Sequence, residues 1–297
     1  MWQRPPRWTR FDNFVLIAAA CGLFWLGDKA LGGLTYTWQW ADLPQFILYK
    51  SQESGQWVPG VLLQGLLTTI RLSFWSTLLA LCIGVVMGMF RVSPSLFKRL
   101  VAQTYVGLSR NLPPLVLVFI FYYFFSDQLL PSLGVQEFLG RQPEAVQGII
   151  SWIWAEPGNM LIFIAAVLTL ALYEGAYITE IVRSGIQSIE RGQWEAVYAL
   201  GLSKLDQLRF VILPQAVRRV IPPLTGQFIS TIKDSAIVSV ISVPELTFQG
   251  MELMAATFMT FEIWITVTVL YFLLTFSCSW LARRVEVAMH KREAGIS

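Results

Sequence analysis

Long, nearly uncharged apolar runs constrain this chain more than any other feature. A run of about 18 apolar residues is long enough for a helix to cross the hydrocarbon core of a bilayer. Six such spans are read, at about Phe11–Gly27, Gly65–Phe90, Val101–Phe125, Met160–Val182, Val220–Ser242 and Thr257–Leu281. They are continuous runs rather than the periodic stripes of half-buried helices. Hydrophobic residues make up 55% of the 297 and charged ones 14%, against roughly 25% charged in a soluble domain. The expectation is an all-α integral membrane protein of six transmembrane helices.

The first span is short and follows Arg4, Arg7 and Arg10, so a cleaved signal peptide competes with an uncleaved helix. Its exit, Gly27-Asp28-Lys29, lacks an A-x-A-like cleavage site and favours the helix. Basic residues then orient the spans, because cytoplasmic loops carry the excess of Lys and Arg. With the N-terminus inside, the cytoplasmic segments collect Arg91, Lys98, Arg99, Arg183, Arg191, Lys204, Arg209, Arg218, Arg219, Arg283, Arg284, Lys291 and Arg292 besides the three N-terminal arginines. The opposite side keeps Lys29, Lys50 and Arg141. Both termini are therefore expected in the cytoplasm.

Residues 1–64 are read as a tail, an extra helix and an external segment, and 65–297 as the functional core. A second external segment, 126–159, is apolar enough at Gln136–Leu139 and Val146–Trp154 for short interfacial helices. Trp38, Trp40, Trp57, Trp152 and Trp154 cluster on that side. Aromatic anchoring in the interface and docking of an external partner both fit them.

Several chemistries are disfavoured. A net charge of +3 makes nucleic acid a poor partner. Cys21, Cys82 and Cys278 lie in apolar spans without metal-like spacing and read as small packing residues. His290 is the single histidine, in a basic tail, which argues against His-based catalysis or metal binding. No phosphate-loop pattern occurs, so ATP hydrolysis by that route is not expected of this chain.

The segment 183–219 is too polar to span and too patterned for disorder. Ile186, Ile189, Ala196, Ala199 and Leu200 fall near helical spacing before Gly201, a residue suited to a left-handed helix cap. Ser203-Lys204-Leu205-Asp206 starts a second helix with Leu205, Leu208 and Phe210 on one face. Pro214 is expected to end or redirect it. Two short amphipathic helices at a glycine corner make a knob able to fill a groove on a soluble partner.

Glu195-Ala196-Val197, Gly201 and Val211-Ile212-Leu213-Pro214 also resemble the EAA coupling loop of ABC-transporter permeases. Val197 and Val211 depart conservatively from its common form. Residues 171–187, Gly192-Gln193-Trp194, Arg110-Asn111-Leu112-Pro113-Pro114, Ile221-Pro222-Pro223-Leu224 and Ile232-Lys233-Asp234-Ser235 are similar to the polar amino-acid uptake branch of that family. The resemblance runs from about Gly65 to the end. It implies a type I ABC importer permease fold, a five-helix core preceded here by one N-terminal helix, in a bacterial plasma (inner) membrane. It further implies a second permease subunit, two ATPase subunits carrying ATP and Mg²⁺, an external solute-binding protein, and no cofactor in this chain. Glu195, Ala196, Gly201, Leu213 and Pro214 would then contact the ATPase.

Charges within the spans are candidates for the substrate path, since intramembrane ionisable groups are costly and face partners or cavities. Glu174 precedes Arg183 by about 13 Å of helix rise, near mid-bilayer. It could line a cavity, pair with a cation or stay a neutral hydrogen-bonded carboxyl, whereas Glu180 is expected to pair near the surface. Adjacent Lys233 and Asp234 do not face each other on a helix. Each should meet another helix, a partner or cargo if Pro222-Pro223 and Gly226 unwind the span. Arg110 precedes the Pro113-Pro114 break and either lines the pore or snorkels inward. Arg71 lies about 30 Å of rise from Arg91; it either snorkels to the outer interface or meets an incoming carboxylate. Gly84 and Gly88 read as close helix packing.

The leading expectation is the non-catalytic transmembrane subunit of an ATP-driven amino-acid importer. A secondary transporter or channel for small polar solutes would explain the spans but not the loop, and no pair of halves with matching hydropathy supports it. An intramembrane enzyme has no motif behind it.

Overall fold

The computed structural model describes residues 9–33, 36–52 and 55–293; Arg4 and Arg7 lie outside them. The chain forms two compact units, Met1–Gln39 and Trp40–Ser297. The first holds α1, Arg10–Gly33. Thr9 and Asp12 start it reciprocally: Asp12 Oδ2 accepts from the Thr9 backbone N–H at 2.7 Å, and Thr9 Oγ1 accepts from the Asp12 N–H at 3.3 Å. This is a capping box with Asp in the acidic position.

The second unit opens with a 3-10 turn at Trp40–Asp42, followed by α2, Pro44–Ile47, and a small antiparallel hairpin of β1, Leu48–Lys50, and β2, Trp57–Pro59. The body is helical: α3 Val61–Arg91, α4 Leu96–Asn111, α5 Pro114–Tyr123, α6 Leu130–Ser132, α7 Val135–Gly140, α8 Glu144–Ile153, α9 Met160–Gln187, α10 Arg191–Ala199, α11 Lys204–Asp206, α12 Leu213–Asp234, α13 Leu246–Thr257 and α14 Thr260–Glu293. Short helices are expected at Gln136–Leu139 and Val146–Trp154, and α7 and α8 form there.

Among the described residues five helical stretches are long and apolar enough to cross a membrane: Arg10–Lys29, Val61–Arg91, Pro114–Ser132, Pro157–Gln187 and Thr260–Arg284. The expected span at 220–242 corresponds to α12, which is long enough but carries Arg218, Arg219, Lys233 and Asp234. The expected span Val101–Phe125 is also redrawn. Leu112-Pro113 breaks it into α4 and α5, and the apolar helix continues past Phe125 through a π-turn at Phe124–Leu129. Pro113 lacks the N–H that would continue α4.

The central element is α9, with Phe163, Ala166, Leu170, Ala171 and Ile178 among its buried residues. It runs parallel to α3, and glycines bring the two together. A Cβ at Gly84 would strike the Ile178 side chain, and one at Gly88 would sit 2.6 Å from Val182 Cγ1. Small residues allow such approach where lipid supplies no hydrophobic drive for helix association. Near the loop end Glu180 ties the pair, accepting from Arg91 at 2.8 Å and from Arg183 at 2.7 Å. The three cysteines are free; Cys21 and Cys82 are exposed rather than packed inside.

Two proline expectations are corrected. Pro222-Pro223 do not unwind the span: α12 runs through them, and tightening begins only at Ser235–Ile241, a 3-10 segment ending at Ser242 with φ +61°. Nor does Pro214 end a helix. A π-turn at Gln207–Ile212 joins α11 to α12, and Pro214 sits in the first turn of α12, where its missing N–H is tolerated.

Candidate functional site

The loop after α9 is built by inward anchors and outward apolar residues. Ile186, Ile189, Val197 and Ile212 are buried. Arg219 donates to the Ser188 carbonyl, and Gln215 Nε2 donates to Gln193 Oε1 at 3.1 Å. Gly201 turns the chain at φ +70°, a conformation glycine adopts without steric cost. Its N–H donates to the Tyr198 carbonyl at 3.0 Å. Ser203 Oγ accepts from the Asp206 N–H at 3.2 Å and donates to Asp206 Oδ2 at 2.6 Å, starting α11 as its residues suggest.

The inward face of α10 differs from expectation. Val197 packs inward, whereas Ala196, Ala199 and Leu200 are exposed. Glu195 is exposed and pairs with Arg191 at 3.2 Å. Leu213 is half-buried and Pro214 exposed. The tip therefore displays Tyr198, Leu200, Leu205 and Phe210, each at least 64% exposed. Such a patch beyond the membrane-length helices marks an interaction surface.

The second candidate region lies between α9 and α12. Glu174 is fully buried. Its Oε2 accepts from Gln227 Nε2 at 2.5 Å, while its Oε1 has no hydrogen-bond partner among the described residues. Asp234 and Thr231 neighbour the same carboxyl, and Asp234 also lies near Tyr173. Tyr173 and Tyr177 hydroxyls are 3.0 Å apart. Gln227 also lines a cavity of about 620 Å³ with Arg110, Tyr177 and Arg219. Arg110 sits over the Tyr177 ring at 5.2 Å, a cation–π contact.

Of the four path candidates, Glu174 and Asp234 are thus neighbours, and Arg110 faces a cavity that reaches Glu174 through Gln227. Lys233 is exposed and makes no ion pair with Asp234. Residue reading missed Gln227, whose amide stands one turn before Thr231 on the face toward α9. It also missed Glu245, fully buried at the start of α13. Glu245 accepts from the Thr247 and Phe248 N–H groups at 2.9 and 2.8 Å and from the Tyr271 hydroxyl at 2.7 Å. An acidic residue just before a helix is the signal that finds it.

Five membrane-length helices among the described residues, with a loop whose apolar tip is exposed, define a multi-pass membrane protein that docks a partner. Residues 80–291 match the model of the family described as binding-protein-dependent transport system inner membrane component, and the chain belongs to that family. The glutamine transport system permease protein GlnP of Escherichia coli K12 is 35% identical over 77% of this chain and 93% of its own length. The glutamate/aspartate import permease protein GltJ of the same organism is 29% identical over 81% and 90%. The crystal structure of an amino acid ABC transporter with histidines superposes with a TM-score of 0.61 at 31% identity, covering 77% of this chain and 94% of that one. The MetNI methionine ABC transporter in an inward-facing form, at 19% identity and a TM-score of 0.59, shares the fold. The fold is that of an ABC importer permease. The chain is the transmembrane subunit of an ABC importer.

Proposed function

We propose that this subunit carries amino acids inward through a path it shares with a second permease subunit, and that a separate ATPase supplies the energy. The observation that carries the reading is the exposed apolar tip Tyr198, Leu200, Leu205 and Phe210 on a loop anchored by buried Val197 and Ile212. A groove on an ATPase would cover that tip. Glu195, Ala196, Gly201, Leu213 and Pro214 form or shape the contact, and ATP and Mg²⁺ belong to the partner.

The placement of Lys and Arg supports a multi-pass protein of six spans with both termini in the cytoplasm of a bacterium and the loop on the same side. A solute-binding protein delivers cargo from outside. Glu174, Asp234 and Arg110 serve the inner part of the path, and Lys233 faces a partner subunit. The names of the relatives favour polar amino acids such as glutamine.

Affinity purification of the tagged chain tests this: an ATPase and a binding protein should co-purify, and proteoliposomes should take up amino acids only with ATP. Uptake that persists without ATP sinks the importer reading in favour of a secondary transporter. Glu174→Gln and Asp234→Asn should alter uptake while leaving assembly intact; unchanged kinetics for both would remove them from the path.

A further inference from the structure

A polar cavity of about 490 Å³ lies at the end of the bundle opposite the loop, where α3 and α9 begin. Its roof is α8, held down by two bonds to its C-terminal turn. Arg71 Nη1 donates to the Ser151 carbonyl at 3.2 Å, and Trp75 Nε1 donates to the Ile153 carbonyl at 3.2 Å. Trp75 also stacks on Trp154 at 4.3 Å. The roof is thus fixed to α3 rather than loose.

The lining groups have spare hydrogen-bonding capacity. Arg71 is half-buried, and of its five N–H donors one is used by Ser151. Glu156 is within its electrostatic reach, yet no ion pair joins the two. The amides of Asn159 and Gln249 line the same space. A half-buried cation held at α8, a carboxylate on the same lining that is not bonded to it and two uncharged amides complement a molecule whose two charges sit on groups attached to one carbon. The volume falls in the range of small-molecule pockets, about 300–1,000 Å³. Arginine is also the side chain whose planar fork matches a carboxylate.

We propose that this cavity is an outer subsite for a free α-amino acid, with Arg71 binding its carboxylate and Glu156 its ammonium group. The proposal rests on the amino-acid importer reading and adds to it a second station, remote from Glu174. A half-buried arginine that snorkelled only for its own solvation would need neither the opposed carboxylate nor the anchored roof.

The test reads the cavity locally. Gly148 lines it, and a Cβ there meets nothing within 4 Å, so Gly148→Cys is a tolerated reporter once Cys21, Cys82 and Cys278 are replaced by Ser. The full chain, assembled with its co-purifying ATPase in vesicles, is labelled with a membrane-impermeant maleimide from the outside. L-Glutamine, L-glutamate and L-arginine are the probes, each beside its N-acetyl and methyl-ester derivatives. At least one free amino acid should slow labelling in a concentration-dependent way, and neither of its derivatives should. Arg71→Gln should raise the protecting concentration roughly ten- to hundredfold, as loss of a charge-assisted contact does. Glu156→Gln, at an exposed position, should raise it too and guards against a folding defect in the arginine variant.

Equal protection by the derivatives overturns the proposal, as does protection indifferent to both substitutions. So does unprotected labelling at concentrations that saturate uptake; uptake measured in the same vesicles then leaves the importer reading standing. If a binding protein free of amino acid protects and the free amino acids do not, Arg71 meets a protein carboxylate and the proposal also falls. Vesicles supplied with ATP inside and the co-purifying binding protein outside that still take up none of the probes strike the importer reading itself.

Discussion

Gln227 on α12 donates its amide to Glu174 Oε2 on α9 at 2.5 Å, while the other oxygen of that buried carboxyl has no hydrogen-bond partner among the described residues. The bond links the two helices that flank the loop, so a movement of α12 relative to α9 must stretch or exchange it. Asp234 neighbours the same carboxyl, so such a movement also changes the separation of two acidic groups. This makes the pair both a structural tie and a part of the proposed path.

Replacing Gln227 with Leu removes the donor and leaves both Glu174 oxygens unpaired. Interhelical hydrogen bonds in membranes contribute about 1 kcal/mol, and a buried unpaired polar group costs about 1–3 kcal/mol. Thermal unfolding of the purified subunit in detergent should shift down accordingly, whereas Glu174→Gln, which keeps an acceptor, should shift it less. Equal melting curves for Gln227→Leu and wild type would show that the bond is idle.

The Glu180 carboxylate joins Arg91 on α3 and Arg183 on its own helix. The side chains keep 17–29% exposure, so solvent weakens both pairs. A double-mutant cycle with Arg91→Ala and Glu180→Ala should give a coupling of about 1 kcal/mol, near the upper end for exposed pairs. The Arg183 cycle should give about 0.3–0.5 kcal/mol, typical of neighbours on one helix. A larger coupling for Arg183 than for Arg91 would contradict the view that this carboxylate ties α3 to α9.

Close approach of α3 and α9 at the glycines predicts a size-swap rescue. Gly84→Ala places a methyl group into Ile178, and overpacking costs about 1–3 kcal/mol. Adding Ile178→Ala opens the space, so the double variant should recover folded yield relative to Gly84→Ala. Size-exclusion profiles of the purified proteins read this directly. Failure of the rescue with Ile178→Ala alone well folded argues against the contact.

Features governed by local chemistry are legible in the residues themselves. Apolar runs set the spans, Gly201 marks the left-handed turn, and Ser203 with Asp206 marks a helix start. What escapes sequence reading depends on how helices rotate and meet. Val197 rather than Ala196 faces inward, as α10 packs against the segment that ends in the buried Ile212. Pro214 and Pro222-Pro223 read as breaks, yet a π-turn leads into Pro214 and α12 runs on through Pro222-Pro223. Gln227 is unremarkable alone and gains meaning only opposite Glu174, 53 positions earlier. Charge within the spans and family likeness mark Arg110, Lys233 and Asp234 as candidates, and only the packing sets Asp234 beside Glu174 and Arg110 over the Tyr177 ring.

The coupling role of the loop can be tested at Gly201, whose φ of +70° is incompatible with proline's fixed φ of about −65°. Gly201→Pro should therefore break the corner between α10 and α11 and misplace Tyr198, Leu200 and Leu205, while the membrane helices, which do not depend on that turn, still insert. Gly201→Ala costs about 1 kcal/mol for the left-handed backbone, and Gly201→Asn less, because asparagine tolerates that region. ATP hydrolysis stimulated by the loaded binding protein should fall in the order wild type, Asn, Ala, Pro, with Pro near the unstimulated level. Membrane insertion and co-purification of the second permease should stay constant across the series. Stimulated hydrolysis by Gly201→Pro equal to wild type would mean that the loop's corner carries no signal, however well its tip fits a partner.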